Sequence, residues 1–247
     1  MGSLIIEEAF EEPRLFAVVG GLEQEGHPKL GATLRGRVRA TITSDVKSLL
    51  AQADLLIEFT TPEASLAHAQ AAAGMKIPMV IGTTGFSAEQ FEKLRTLSKK
   101  IPIFWSPNMS IGIVIVRRAI GEISELLLRF GLGEKTKVKI SEIHHTKKKD
   151  KPSGTAKALA QELLKATGWL IRDEEIEAKR EGETIGIHSV TFHSPSERIT
   201  LTHEATDRRL FAQGALLVAR HFSKIGKKPD WYGMDDFVKF MQEAKAL

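Results

Sequence analysis

Cysteine is absent from the 247-residue sequence. This absence excludes disulfides, thiolate metal sites and cysteine nucleophiles, and it is compatible with a reducing compartment. The sequence also lacks any apolar run of the roughly 20 residues that a membrane-spanning helix needs. Acidic pairs at Glu7-Glu8 and Glu11-Glu12 occupy the region where a secretory signal requires lysines and an unbroken apolar core. We therefore expect a cytoplasmic protein with no membrane partner.

Aromatic residues make up only 6% of the sequence. None lies beside the densest basic cluster, Lys147-Lys148-Lys149-Asp150-Lys151. Nucleic-acid-binding surfaces typically interleave clustered basic residues with aromatics. Because the net charge is only +4, the sequence does not favour a nucleic-acid partner. An anionic small molecule accounts better for lysines that lie next to two histidines and a Ser-Gly-Thr turn.

Apolar runs of strand length alternate with helical patterns in the first part of the sequence. Strands are predicted at residues 15–20, 53–60, 78–82 and 101–105, and helices at residues 3–10, from Pro62 onward and after Ser87. Proline favours a helix start at Pro62, and Ser87 with Gln90 forms a capping-box pattern. Apolar strands that alternate with helices predict an α/β domain with a parallel sheet covered on both faces.

The pattern changes after about residue 110, where strands begin to alternate between apolar and polar residues. Helices are predicted at residues 111–130, 152–167 and 211–222, and strands at residues 138–143, 188–193 and 197–203. A Ser-Pro-Ser link between the last two strands is typical of a hairpin. We therefore predict a smaller α/β domain over residues 110–215, with a mixed, largely antiparallel sheet. Residues 1–109 form the first domain, and residues 216–247 return to it.

The densest group of chemically active residues runs from Glu142 to Thr155. His144 and His145 can titrate near neutral pH, and Ser153-Gly154-Thr155 opens a predicted helix whose first N–H groups can bind an anion. This segment therefore offers a proton donor beside a carboxylate-binding turn. A solvated surface loop followed by a simple helix cap explains the same residues without chemistry. A zinc site is a weaker interpretation, because adjacent histidine side chains point apart, and we predict no metal.

These residues resemble a known signature. Glu142-x-His144-His145, then Lys148, then Asp150-x-Pro152-Ser153-Gly154-Thr155-Ala156, is similar to the central motif of the 4-hydroxy-tetrahydrodipicolinate reductase family. The resemblance extends along essentially the whole chain. The further matches are Ile57 to Glu63, Val80 to Phe86, Ser106 to Gly112 with Met109 where phenylalanine is usual, Leu201 to Ala205, and Arg208 to Ala215.

The resemblance implies a cytoplasmic, homotetrameric oxidoreductase of lysine and diaminopimelate biosynthesis. The enzyme would use NADH or NADPH to reduce a small dicarboxylate, 4-hydroxy-tetrahydrodipicolinate. His144 matches the general acid, and Lys148 matches the lysine that assists protonation. The residues that match the substrate-binding positions are His145, Ser153, Gly154 and Thr155. The first domain would then be a Rossmann-like dinucleotide-binding domain that lacks its first strand, and the second domain would bind substrate and mediate oligomerisation.

The resemblance also implies a cofactor site at the carboxyl ends of the first-domain strands. Its members are Met1, Gly2, Glu23, Phe59, Thr60, Gly82, Thr83, Thr84, Ser106, Pro107, Asn108 and Met109. Glu23 would accept hydrogen bonds from the adenosine ribose hydroxyls and repel a 2′-phosphate. Because its neighbour Gln24 adds no positive charge, we expect a preference for NADH or acceptance of both cofactors.

The sequence departs from the family pattern at its start. The family begins with an apolar strand and Gly-x-x-Gly-Arg-Met-Gly, whereas here Met1-Gly2 resembles only the last two residues of that turn. Three explanations stay open: Met1 is an internal methionine, Met1-Gly2-Ser3 is an added segment in front of a truncation, or the chain genuinely lost its cofactor loop. Two other functions stay open: a decayed reductase that binds ligands or partners without catalysis, and another two-domain enzyme such as an aspartate or homoserine dehydrogenase. The His-His-x-x-Lys and Pro-Ser-Gly-Thr pairing disfavours the latter.

Overall fold

A computed structural model describes residues 1–34, 40–225 and 228–243 of the chain. The chain divides into two compact units. The first unit combines Met1–Met109 with the described residues from Phe211 onward, and the second is Ser110–Leu210. Residues 226–227 and 244–247 of the predicted returning segment lie outside the described residues. Every helix in the described part of the chain is too short or too polar to traverse a lipid bilayer.

The described residues of the first unit form two sheets. The strands of the parallel sheet follow the order β11 (Trp231–Tyr232), β6 (Ile103–Trp105), β5 (Met79–Ile81) and β4 (Leu56–Glu58). In the other sheet, β3 (Ala40–Thr43) lies between β1 (Gly20–Leu22), which is parallel to it, and β2 (Thr33–Leu34), which is antiparallel. The parallel sheet confirms the Rossmann-like class that the sequence predicts.

Local sequence signals set the helix starts of the first unit. Its helices are α1 (Gly2–Glu11), α2 (Val46–Leu50), α3 (Pro62–Met75), α4 (Ala88–Ser98), α7 (Arg209–Ile225, which begins in the second unit) and α8 (Met234–Glu243). The Thr61 hydroxyl accepts the N–H of Ala64 at the start of α3. Ser87 and Gln90 close the predicted capping box at the start of α4, so both sequence signals are confirmed.

The core of the first unit surrounds the parallel sheet. Met79, Ile81 and Ile103 have no more than 1% of their surface exposed, and Ala72 of α3 and Leu94 of α4 pack into the same cluster. Strands that are covered on both faces bury every side chain, which explains why they appear in the sequence as short continuous apolar runs. Burial of each large side chain stabilises the fold by about 1.5–3 kcal/mol.

The predicted strand at residues 15–20 is wrong except for its last residue. β1 is Gly20–Leu22, and residues 15–19 pair with none of the described strands. Phe16 and Val18 instead pack against the small cluster that Ile5 of α1 and Leu216 of α7 form. An apolar run forms a strand only where the backbone of a neighbouring strand hydrogen-bonds its N–H and C=O groups. Hydrophobicity alone therefore predicted this strand a few residues too early in the chain.

The second unit has one mixed sheet with two long α-helices. The elements are α5 (Ile111–Arg129), β7 (Lys137–His144), α6 (Gly154–Thr167), β8 (Glu177–Arg180), β9 (Gly186–His193) and β10 (Arg198–Ala205). The sheet order is β10-β9-β7-β8, antiparallel except for the β7–β8 pair. Ile120 of α5, Leu159 of α6 and Val190 of β9 are fully buried between sheet and helices. The predicted mixed, largely antiparallel sheet and its hairpin are confirmed.

Candidate active site

His144 and Glu142 lie on the same face of β7. Burial alternates along this strand, so that Ile140, Glu142 and His144 all point into the unit. Glu142 is 1% exposed and His144 is 7% exposed. Glu142 Oε2 contacts His144 Nδ1, an arrangement that fixes the ring orientation and leaves Nε2 as the other polar atom of the ring.

The second oxygen of Glu142 holds two further elements of the unit. Glu142 Oε1 accepts a hydrogen bond from the backbone N–H of Ser153 at 3.3 Å and another from Arg180 Nη1 at 3.0 Å. An unpaired buried carboxylate would cost several kcal/mol, and these contacts offset that cost. A single carboxylate therefore joins the histidine, the start of α6 and an arginine of β8.

The Ser153-Gly154-Thr155 turn starts α6 as the sequence predicts. The Ser153 hydroxyl accepts the N–H of Ala156 at 3.2 Å, and it also hydrogen-bonds His188 Nε2 at 3.2 Å. A Cβ built on Gly154 meets no described atom within 4 Å, so the helix start opens onto free space. The helix dipole and the first-turn N–H groups make such a start attractive to a carboxylate.

Lys148 lies in the loop between β7 and α6. Its ammonium group pairs with Asp150 Oδ1 at 2.8 Å, and its side chain is 24% exposed. Burial favours the neutral acid at Asp150, but the hydrogen bond and charge of Lys148 hold the pKa of Asp150 below its usual range. Lys147 and Lys149 are exposed, as is Lys151, so Lys148 is the half-buried lysine of this basic cluster.

His145 begins the same loop. Its backbone N–H donates to the carbonyl oxygen of Thr184 at 2.7 Å, which ties the end of β7 to the segment before β9. Its Nδ1 atom is buried and has no hydrogen-bond partner in the described part of the chain. The structure therefore brings together in one unit all six predicted catalytic and substrate-binding residues. They are His144, His145, Lys148, Ser153, Gly154 and Thr155.

Electrostatics favour a neutral His144. Burial lowers the pKa of His144 below the ordinary histidine value; Lys148 and Arg180 act in the same direction, while the Glu142 carboxylate opposes them. The ring of His188 lies edge-on to that of His144, with 4.9 Å between centroids. Burial is the main cause that lowers the pKa of His188 to about 3, and interactions with His144, His203 and Lys148 act in the same direction.

Three of these groups are close enough to hold a metal ion. One ligand atom each from Glu142, His144 and His188 lies within 4.8 Å of the others. However, the carboxylate already contacts the Arg180 guanidinium, the Ser153 N–H and the His144 ring. A cation at this point would have to displace or repel that arginine, so the donor set fits an internal ion-pair network better than a metal site.

A groove of about 1260 Å³ opens in the first unit. Its lining contains five predicted cofactor-binding residues: Met1, Gly2, Glu23, Phe59 and Thr60. Ligand sites commonly have volumes of about 300–1,000 Å³, so a dinucleotide fits the available space. Met1 provides no side-chain cap to α1, and a Cβ on Gly2 meets no described atom within 4 Å, so this helix start is open to an anion.

The ends of β4 and β5 are linked beside this groove. The backbone N–H of Thr60 donates to Glu58 Oε1 at 2.9 Å and to the Thr83 hydroxyl at 3.1 Å. A Cβ on Gly82 would lie 2.2 Å from the Phe59 ring, so only glycine allows this approach. Thr83 is buried and Thr84 is exposed. Neither of these two threonines lines the groove.

The Ser106–Met109 segment follows β6 in the same unit but does not line the groove. The Ser106 hydroxyl donates to the Asn108 carbonyl oxygen at 2.7 Å and accepts the Asn108 N–H at 3.3 Å, which closes a tight turn. Pro107 is exposed at its tip, and Met109 is buried. A Cβ on Gly214 of α7 would lie 1.8 Å from the Met109 carbonyl oxygen, so glycine is required there.

Sequence reasoning missed the residues that support the site. Arg180 and His188 lie 38 and 46 residues after Glu142 in the chain, and nothing local to either marks it as a partner of the central motif. In the first unit, His68 Nδ1 hydrogen-bonds Glu58 Oε2 at 2.6 Å. Glu58 and His68 are ten residues apart, one at a strand end and one in a helix, and this spacing matches no sequence pattern that predicts a contact. A glutamate at the end of an apolar strand does indicate a buried carboxylate.

Comparisons with known proteins identify the family of the chain. Residues 1–109 match the model of the family described as dihydrodipicolinate reductase, N-terminus, and residues 112–238 match dihydrodipicolinate reductase, C-terminus. A Myxococcus xanthus protein named 4-hydroxy-tetrahydrodipicolinate reductase is 36% identical over 98% of this chain and 95% of its own length. A Lawsonia intracellularis protein of the same name is 41% identical over 69% of this chain and 70% of its own length.

A solved structure shares the fold. This structure, the dipicolinate-bound dihydrodipicolinate reductase from Paenisporosarcina sp. TG-14, superposes with a TM-score of 0.68 over 93% of each chain at 21% sequence identity. At this identity the likeness shows the fold alone, whereas the family models and the curated relatives cover the sequence itself. The chain therefore belongs to the dihydrodipicolinate reductase family of NAD(P)H-dependent oxidoreductases, the reductases of the diaminopimelate route to lysine.

Proposed function

We propose that this chain uses a hydride from NADH or NADPH and one proton to convert 4-hydroxy-tetrahydrodipicolinate into tetrahydrodipicolinate, with the 4-hydroxyl group leaving as water. His144 would be the general acid, and the start of α6 would be the carboxylate site. One observation carries the proposal: Glu142 holds a titratable histidine and an anion-binding helix start on the same carboxylate. The Paenisporosarcina reductase is dipicolinate-bound, and dipicolinate is a small dicarboxylate, which supports this substrate class. The described site offers nothing that favours the non-catalytic alternative.

The chain's own residues would bind and orient the substrate. First-turn N–H groups at Gly154 and Thr155 would donate hydrogen bonds to one carboxylate, helped by the helix dipole. The ammonium of Lys148 and the ring of His145 would hold the remaining negative charge. Since Lys148 pairs with Asp150 in the structure, substrate binding would exchange one carboxylate partner for another at the same lysine.

Proton delivery would fall to His144. Burial keeps the ring neutral at neutral pH in the free protein, but a dianionic ligand beside it favours the charged form and raises its pKa. Substrate binding would therefore load the ring with a proton at Nε2, while Glu142 holds Nδ1. Lys148 would stabilise the developing negative charge on the substrate during proton transfer.

The nicotinamide cofactor supplies the hydride when bound, and the first unit would hold it. Met1 and Gly2 at the start of α1 would bind the pyrophosphate, and Phe59 and Thr60 would contact the rest of the dinucleotide beside Gly82 and Thr83. Thr84 and the residues Ser106, Pro107, Asn108 and Met109 would form the nicotinamide end of that site. Glu23 directly follows β1 and lines the groove, which supports contact with the ribose hydroxyls and a preference for NADH or dual use.

The family resemblance also supports a homotetramer in the cytoplasm, with residues 1–109 and 216–247 as the dinucleotide-binding domain and residues 110–215 as the substrate-binding and oligomerisation domain. Light scattering of the purified chain tests the oligomeric state. A mass near four times the 27.3 kDa of one chain is expected, and a monomer at micromolar concentration would contradict it.

Two measurements test the proposed function. Freshly prepared substrate should cause oxidation of NADH or NADPH, followed as loss of nicotinamide absorbance. Calorimetry with dipicolinate in buffers of different ionisation heat should show proton uptake at pH 7.5, as His144 becomes charged. Binding of dipicolinate without substrate-dependent oxidation of either cofactor would support the decayed reductase instead.

A further inference from the structure

Arg180 occupies the end of β8, in parallel register with His144 of β7. Its side chain is only 14% exposed. Arg180 Nη1 donates to Glu142 Oε1 at 3.0 Å, and the opposite oxygen of that carboxylate contacts His144 Nδ1. The guanidinium therefore acts on the histidine through a carboxylate that cannot turn away from the ring without breaking the ion pair.

The same guanidinium also holds the loop that carries the lysine. Arg180 Nε donates to the carbonyl oxygen of Lys148 at 3.2 Å, and Arg180 Nη2 donates to that of Asp150. These two carbonyls flank the short stretch of backbone between Lys148 and its ion-pair partner Asp150. A flexible loop with four lysines and one aspartate would otherwise sample many positions, because its side chains repel each other and prefer water.

Arginine is suited to this arrangement, and lysine is not. The guanidinium presents five N–H donors in a rigid plane, so that one side chain reaches a carboxylate and two separate carbonyls at fixed angles. A lysine ammonium retains the positive charge beside Glu142, but it cannot span all these acceptors from one position. The two residue types therefore separate the effect of charge from the effect of geometry.

We propose that Arg180 is a positioning residue that fixes His144, through Glu142, and Lys148, through the loop backbone, in a single arrangement for catalysis. The proposal rests on the proposed function, since it assigns Arg180 a task for the same site. Arg180 does not itself bind substrate in this account. It sets where the proton donor and the cationic side chain lie before substrate arrives.

Three substitutions test the proposal. Arg180→Met removes the positive charge and the N–H donors. Arg180→Lys keeps the positive charge but loses the planar set of N–H donors. Lys179→Met is the matched control, because it removes one positive charge from the neighbouring, exposed position of the same strand. A displacement of about 1 Å at catalytic groups lowers turnover about 10²-fold. We expect kcat to fall by about that factor in Arg180→Met and about tenfold in Arg180→Lys, with the KM for NADH unchanged in both.

A pH profile gives a readout that a merely structural role would not move. The groups that surround the His144 ring are Glu142 on its own strand, Arg180 on β8, His188 on β9, and Lys148 in the loop. Loss of the Arg180 charge favours protonated His144, so the basic limb of the kcat/KM profile should move to higher pH in Arg180→Met. Arg180→Lys keeps that charge, so its limb should stay in place while its kcat falls.

Each outcome supports or overturns the proposal. Wild-type kcat in Arg180→Lys would show that the positive charge suffices, and it would overturn the positioning role. An unshifted basic limb of the kcat/KM profile in folded Arg180→Met would overturn it as well. If Arg180→Met fails to fold, Arg180→Lys provides the test. A fall of kcat in the folded Arg180→Lys protein, with the KM for NADH unchanged, would support the proposal. A wild-type chain that turns over no substrate defeats the proposed function, whereas an active wild type with equally active Arg180 variants defeats only this inference.

Discussion

Glu142 and His144 are two residues apart on β7, and their side chains meet on the buried face of the strand, with Oε2 of the carboxylate against Nδ1 of the ring. Side chains two residues apart on a strand lie on the same face, so this pairing follows from the local strand geometry alone. It gives the histidine one fixed orientation and leaves Nε2 for chemistry.

Glu142→Gln should move the pH dependence of catalysis. The carboxylate raises the pKa of His144 against the effect of burial, so its removal should lower that pKa. We expect the basic limb of the kcat/KM profile to move to lower pH, since an opposite charge beside a titrating group favours its charged form. Glu177→Gln is the control, because this glutamate of the adjacent strand is exposed and pairs with Lys139 instead of a histidine. An unmoved limb in Glu142→Gln would show that the carboxylate does not act on the catalytic acid.

Lys148→Ala should lower kcat and raise the KM for substrate together, because binding charge and transition-state stabilisation are lost at once. Lys149→Ala is the matched control, since it removes the same charge from the adjacent, exposed position. Steady-state kinetics should show a loss of about 10²-fold in kcat/KM for the first variant and little change for the second. Equal losses of kcat/KM in both variants would mean that catalysis depends on the total positive charge of the loop and not on the position of Lys148.

His188 should make the fold sensitive to acid. Its pKa of about 3 lies below the ordinary value of 6.5, so between these values the unfolded chain binds a proton that the folded chain does not. Stability should therefore fall as pH decreases from about 6.5, with a slope of up to about 1.4 kcal/mol per pH unit from this group. Urea unfolding at pH 4.5–6.5 should show a flatter dependence in His188→Asn.

His193→Asn is the control for this experiment, because His193 ends the same strand and is exposed. It should retain the wild-type dependence of the free energy of unfolding on pH. If His188→Asn kept the full slope, the acid sensitivity would belong to other groups.

Glu23→Ala should change the choice of cofactor. The carboxylate beside the groove disfavours a 2′-phosphate, so its removal should raise kcat/KM for NADPH relative to NADH by about tenfold, equivalent to about 1.4 kcal/mol. Glu11→Ala, at the end of α1 and away from the groove lining, should leave the ratio unchanged. A wild-type chain that binds NADPH at least tenfold more tightly than NADH would contradict the role of Glu23.

Much of the fold was predictable because its signals are local. The capping box of Ser87 and Gln90 needs only four residues, and the alternation of residues 138–143 extends into a strand that orients His144 correctly. The strand predicted at residues 15–20 failed because pairing depends on distant backbone. Short elements such as α2 and β11, with five and two residues, fall below any periodic pattern.

The residues of the candidate site also differ in how far the sequence alone predicts them. His144, Lys148 and Ser153 lie within one stretch of sequence, so a motif predicts them together. Arg180 reaches the site from β8, a four-residue polar edge strand. Its contacts are with the Glu142 carboxylate and with backbone carbonyls, which no residue pattern encodes. Support of this kind becomes visible only in three dimensions.

Turnover by His144→Gln, measured beside the wild type, tests most directly whether His144 is the general acid. Both proteins receive 4-hydroxy-tetrahydrodipicolinate and NADH in excess, and the dipicolinate affinity of both is measured. Loss of a general acid lowers rates about 10²–10⁴-fold. We expect a fall of kcat in that range, dipicolinate binding within a few-fold of wild type, and no proton uptake on binding at pH 7.5. A variant with near-normal kcat would show that His144 is not the general acid.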